Sequence, residues 1–153
     1  MYIYRKFQFS WVIAVTFITV LVLLTLSFLY EWGTNPIDKG GYIFMMLLFG
    51  SVLLMFYGMT VIITDNEIMI RFGIGLITKK IKLSEIQSVA AMKYPVYFGY
   101  GVRITPGGVL FNVNGRHAVE IILKNKKKTV QIGTNDWDNL RNVIESAIRT
   151  KQR

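Results

Sequence analysis

The 153-residue chain has one histidine, His117, and no cysteine. Without cysteine there are no disulfides, thiolate nucleophiles or thiolate metal sites. A metal centre needs several convergent ligands. His117 follows Gly115-Arg116, its nearest acid is Glu120, and the two do not make a ligand set, so His117 reads as a turn or surface residue. The acids Glu85, Glu120, Asp136 and Asp138 are dispersed, whereas general acid–base work needs groups close enough to displace one another's pKa. Gly99-Tyr100-Gly101 shares two glycines with a dinucleotide fingerprint. The third glycine, the preceding parallel strand and the following helix are missing, so these are turn or bulge glycines. No catalytic residue, cofactor site or metal ligand is assigned, no cofactor is expected, and the chain does not read as an enzyme.

Two other sets of side chains carry interaction chemistry. Lys79, Lys80 and Lys82 alternate along one segment, and Lys124, Lys126, Lys127 and Lys128 crowd a hairpin tip, with Lys93 and Arg116 adding to the excess. Beside an anionic leaflet each such cation is worth about 1 kcal/mol, which makes the seven lysines candidates for headgroup binding. The plainer reading is a solvated face that sets orientation. Tyr94, Tyr97, Phe98 and Tyr100 form a candidate partner or interface loop, because aromatics are enriched at protein contacts and at membrane surfaces. Packing onto the domain's own core is the alternative. Single-stranded nucleic acid needs aromatics interleaved with cations. Apart from Lys93 the two sets are separated, so nucleic acid is not expected despite a net charge of +9.

These groups are positioned by a chain of two textures. Residues 1–59 hold three basic and two acidic residues, and residues 60–153 hold 15 basic and 7 acidic. Residues 7–30 contain no charge; Gln8, Ser10, Thr16, Thr19, Thr25 and Ser27 are the only interruptions. About 20 such residues span a hydrocarbon core, and small hydroxyls can bond back to the helix's own carbonyls. A secretory signal peptide is the main rival, but the run is too long and no small-residue cleavage site follows. A second uncharged run begins near Gly41 and ends near Met59, after a loop broken by Gly33, Pro36 and Gly40. Residues 1–59 therefore read as a transmembrane hairpin with helices at about 9–30 and 41–59. Gly50 and Ser51 would allow close helix packing, a weak signal for a homo-oligomer. Arg5 and Lys6 precede the first helix and the basic domain follows the second, so the positive-inside rule puts both termini in the cytoplasm.

Residues 60–153 read as a separate β-rich domain. Alternating segments cover 60–64, 67–72, 76–83, 86–92, 101–104, 109–113, 118–123 and 128–132, giving about seven antiparallel strands. Pro106-Gly107 suits a type II turn, and Asn114-Gly115 suits a type I′ hairpin. A closing helix carries Trp137, Leu140, Ile144, Ala147 and Ile148 on one stripe, with Thr134 or Asn135 as cap and Asp136 and Asp138 in its first turn. The fold class is α+β: a two-helix anchor, then a small barrel or sandwich with a C-terminal amphipathic helix.

That order of elements, with Tyr100-Gly101-Val102-Arg103-Ile104-Thr105-Pro106, Leu110-Phe111-Asn112-Val113-Asn114-Gly115, Ala118-Val119-Glu120-Ile121 and Ile132-Gly133-Thr134-Asn135-Asp136, resembles the bacterial membrane-anchored pleckstrin-homology-like (PH-like) domain proteins. Asn114 and Asn135 stand where relatives often carry Ser and Asp. The resemblance implies a seven-stranded bent antiparallel barrel with a C-terminal helix, in a bacterial inner-membrane protein. It implies little about activity, since this scaffold binds lipids, peptides or proteins. The leading expectation is a non-enzymatic module at the cytoplasmic face that binds or regulates a protein partner. An anionic headgroup reader comes second, and a small enzyme or enzyme subunit third.

Overall fold

The computed structural model describes residues 2–95, 99–124 and 129–152. Its first element is absent from the sequence reading. Residues expected to be a basic flank of the first helix form strand β1 (Tyr2–Phe9). Tyr4, Lys6 and Gln8 occupy one face and Arg5 and Phe7 the other, so no apolar alternation announces a strand. Pairing with β2 (Gly58–Thr64) makes it one, in a register that sets Lys6 opposite Val61 and Phe9 opposite Gly58.

Between β1 and β2 stand helices α1 (Trp11–Leu29) and α2 (Lys39–Phe56), both long and apolar enough to cross a membrane. They are shorter than the expected spans because Phe9, Gly58 and Met59 are taken into the β ladder. Asp38 caps α2, its carboxylate accepting from Gly40 N (3.0 Å) and Gly41 N (3.2 Å), two of the donors that a helix start leaves unpaired. Thr25 and Ser51 bond back to Leu21 O and Leu48 O, both at 2.8 Å. The helices pack through Phe28 stacked on Tyr42 (4.4 Å) and Phe17 tilted on Phe49 (6.1 Å). Ala14 is the one side chain buried in α1, and none is buried in α2.

After β2 come β3 (Glu67–Phe72), β4 (Ile77–Lys82), a 3-10 turn at Leu83–Glu85, β5 (Ile86–Lys93), β6 (Gly101–Thr105), β7 (Gly108–Asn112), β8 (His117–Leu123), β9 (Thr129–Gly133) and α3 (Trp137–Gln152). The first sheet has the order β1-β2-β3-β4, and the second β5-β8-β9-β7-β6. Each of the eight segments from which about seven strands were expected forms a strand, β2 to β9. Their arrangement differs from expectation in three ways. The closed barrel that the resemblance implies is absent among the described residues, where two sheets stand as the sandwich alternative has them. β7 pairs with β9 in parallel, so the fold is not wholly antiparallel. Asn114-Gly115 does not close a hairpin, because β9 lies between β7 and β8.

Local geometry explains the last point. A type I′ turn needs two positive φ values, and of this pair only Gly115 (+94°) has one. Asn112, buried, donates from Nδ2 to Gly99 O (2.9 Å) and accepts Asn114 N at Oδ1 (3.1 Å), which turns the chain away from β7. The Pro106-Gly107 turn is likewise not type II, since Gly107 has no positive φ. Thr105 Oγ1 braces it instead, accepting Gly108 N at 3.1 Å.

The core lies between the sheets and α3. Met59, Ile63, Ile68, Ile70 and Phe72 come from the first sheet, and Phe111, Val119, Ile121 and Ile132 from the second. α3 supplies Leu140, Ile144, Ala147 and Ile148 and packs on β5, β8 and the 3-10 turn. Trp137 is half-buried and stacks on His117 at 5.7 Å, so the one histidine is a packing residue. Asp136, not Thr134 or Asn135, immediately precedes the helix, and its carbonyl accepts Leu140 N.

Candidate functional site

Helix and sheet are joined by single residues. Ser10 lies between β1 and α1, Tyr57 between α2 and β2, and Ser10 N donates to Tyr57 O at 2.8 Å. Aromatics surround this neck: Phe9 meets Trp11 edge-on at 4.9 Å, and Tyr57 tilts against Phe7 (6.1 Å) and Phe9 (6.5 Å). Gly58 fits a tight space there, since a Cβ would lie 2.5 Å from the Phe7 ring and 2.9 Å from the Gln8 carbonyl oxygen.

β1 is also fastened at its far side. The Asp136 carboxylate accepts from Tyr4 OH (3.0 Å), Lys6 Nζ (3.0 Å) and Asn139 Nδ2 (3.2 Å), while Gln8 Nε2 donates to Gly133 O (3.3 Å). One strand of the first sheet is thereby clasped to the junction of β9 and α3. Partial burial works to raise the Asp136 pKa, but the hydrogen bonds from Lys6, Asn139 and Tyr4 outweigh it and hold the carboxyl below its ordinary value. Tyr4 is pushed above the ordinary phenol range, first by burial and then by Asp136.

The lysines do not gather into a pocket. β4 is an edge strand, and Lys79, Lys80 and Lys82 are all exposed on it. Lys80 pairs with Glu67 across 3.4 Å; Lys79 lies opposite Ile70 and Lys82 opposite Glu67. Lysines on an edge discourage pairing with another strand, a structural role that needs no ligand. Lys124 is tied by its backbone N to Glu85 O (2.9 Å), just past the end of β4 that is remote from the neck. Lys126, Lys127 and Lys128 lie outside the described residues. Two arginines outside the candidate headgroup set share the outer face of the first sheet: Arg5 lies in one cross-strand row with Lys80, and Arg71 lies nearer the neck.

The aromatic loop divides. Tyr94, expected at an interface, is only 4% exposed and packs with Leu110 and Ala118. Its hydroxyl donates to Gly115 O at 3.0 Å, and its pKa is pushed up to about 12, first by burial and then by the nearby Tyr100. Tyr100 is half-buried, and Tyr97 and Phe98 lie outside the described residues. Gly99, Tyr100 and Arg103 face Phe17, Val52 and Phe56 across a groove of about 470 Å³ between domain and helices.

A second groove of about 550 Å³ opens at the strand ends remote from the neck, with Ile3, Val143 and Ala147 as apolar lining and Asp65, Asn66 and Lys151 at its polar side. Glu120 is engaged in a network in which Thr129 Oγ1 (2.7 Å) and Gln131 Nε2 (3.2 Å) donate to Oε1. Among the described residues no group of three His, Asp or Glu side chains could hold a metal ion. No known protein family, curated protein or solved structure matches the chain.

Proposed function

We propose that this chain is a two-pass membrane protein whose PH-like domain is held at the cytoplasmic face as a non-enzymatic module that binds or regulates a protein partner. The observation that carries the reading is the neck. Two helices that bury one side chain between them run directly into neighbouring strands, and Ser10–Tyr57 ties the two passages together. With the hairpin in the bilayer, such a domain presents its remote end to the cytoplasm. The groove beside Val143 and the exposed Lys82 and Lys124 lie at that end. The PH-like assignment is supported by the order of strands and closing helix, and the cytoplasmic side by Arg5, Lys6 and the basic domain. The test is affinity purification of the full chain in mild detergent. A stoichiometric protein should be recovered, and should be lost with Val143→Glu or Lys82→Glu. No stoichiometric protein in any preparation would count against the module.

Arg71 and Arg103, both exposed near the neck, favour a second reading, attraction to anionic headgroups. The far end of β4 is less suited to it. Lys82 lies five residues beyond Ile77, roughly 17 Å along the strand, farther than the roughly 8 Å over which salt screens charge. If headgroups are read, the domain of the reconstituted chain melts higher in anionic than in neutral bilayers, and added salt removes the difference. Equal midpoints in both bilayers would exclude it.

A further inference from the structure

The turn between β3 and β4, Gly73-Ile74-Gly75-Leu76, carries two large apolar side chains where turns usually carry polar ones. Ile74 is 56% exposed and Leu76 70%. The turn is nonetheless fixed in place. Gly73 N donates to Gly58 O (2.8 Å), and Ile74 N donates to Leu54 O (3.4 Å). Gly73, at φ +47°, lies so close to the Leu54 and Met55 carbonyls that a Cβ has no room. Those carbonyls belong to the last turn of α2.

A second loop abuts the hairpin. Gly99, Tyr100 and Arg103 face Ile13, Phe17 and Val52. Phe17 is six residues into α1 and Val52 four residues before the end of α2. At 1.5 Å per residue these lie about 9 and 6 Å inside the helices. On β6 just beyond, Val102 is 37% exposed and Ile104 83%. An arginine adjoins each loop, Arg71 on β3 and Arg103 on β6. The Arg71 guanidinium lies against Gly75, and Arg103 Nε donates to Tyr100 O (3.2 Å). Neither takes part in the ion pairs Lys6–Asp136, Lys80–Glu67 and Arg141–Glu145.

We infer that the β3–β4 turn and β6 from Val102 to Ile104 seat in the leaflet that the hairpin ends cross, an anionic phospholipid surface being the partner. Ile74, Leu76, Val102 and Ile104 enter the boundary between headgroups and acyl chains, a zone about 5–10 Å deep. Arg71 and Arg103 meet the phosphates, as cations beside apolar surface do when their stems lie in hydrocarbon. The domain is then seated in the membrane surface, not only tethered to it. This inference rests on the hairpin spanning the bilayer.

The absence of native cysteine makes the test direct. Leu76→Cys and Ile104→Cys in the full chain are labelled with a polarity-sensitive fluorophore and reconstituted into vesicles of phosphatidylcholine and phosphatidylglycerol that carry a shallow spin-labelled lipid or, for position 47 at the middle of α2, a mid-chain one. Leu47→Cys in α2 and Thr150→Cys near the end of α3 are the controls. Quenching at 76 and 104 should exceed that at 150 several-fold, and Arg71→Gln with Arg103→Gln should reduce it. Strong quenching at 47 with 76 and 104 as unquenched as 150 would overturn the inference and leave the spanning hairpin intact. No quenching at 47 would remove the spanning hairpin and the inference together.

Discussion

Ser10 and Tyr57 are joined by a 2.8 Å hydrogen bond from the serine amide to the tyrosine carbonyl, so the two places where helix becomes strand form one element. The hairpin and the first sheet are continuous through this pair. The Ser10 hydroxyl is buried and has no hydrogen-bond partner among the described residues.

The contact between the β3–β4 turn and α2 depends on Gly73. A side chain there combines a left-handed backbone with a clash against helix carbonyls. Gly73→Ala should destabilise the domain by about 1–3 kcal/mol. Gly50→Ala, whose Cβ meets open space, should leave the thermal midpoint unchanged or slightly raised. Equal midpoints for the two variants would contradict the docked turn.

The Asp136 clasp makes stability depend on pH. Its folded pKa is lowered, so the unfolded chain binds the proton more readily. The stabilisation is complete above the ordinary carboxyl value of about 4 and is lost as pH falls through the folded value. Asp136→Ala should cost about 1–2 kcal/mol at neutral pH, mostly as lost hydrogen-exchange protection in β1. The gap between the native chain and this variant should close in acid. A gap of constant size down to pH 3 would count against the clasp.

Tyr94 works in the opposite direction. Its pKa is raised to about 12, so the contribution is full below the free phenol value and fades as pH rises towards 12. Tyr94→Phe removes the bond to Gly115 O at a cost of about 1 kcal/mol. That cost should shrink in alkali, as urea unfolding at pH 8 and pH 11 would reveal.

Much of this was legible in the sequence. Ile68, Ile70 and Phe72 alternate and are buried, and Leu140, Ile144 and Ile148 recur at helical spacing and are buried too. Both signals are local. β1 was hidden because its core-side residues are Tyr4, Lys6 and Gln8, whose partners lie at Asp136 and Gly133, far along the chain. The parallel pairing of β7 with β9 is also a long-range choice, and Asn-Gly, a local hairpin signal, pointed elsewhere. The lysine runs were conspicuous because they are contiguous in sequence, whereas Arg5 and Lys80 become neighbours only through strand register. Ile74 between Gly73 and Gly75, with Leu76 next along, offered a signal for the second membrane contact proposed above, since bulky apolar residues seldom occupy such a turn.

Cysteine-accessibility mapping of the full chain in sealed cells tests the spanning hairpin most directly. Thr34→Cys, in the connection between α1 and α2, should react with a membrane-impermeant maleimide from outside. Thr150→Cys should react only after the membrane is opened. Equal labelling of both positions in intact cells, or recovery of the chain in the supernatant after high-speed sedimentation without detergent, would contradict the account.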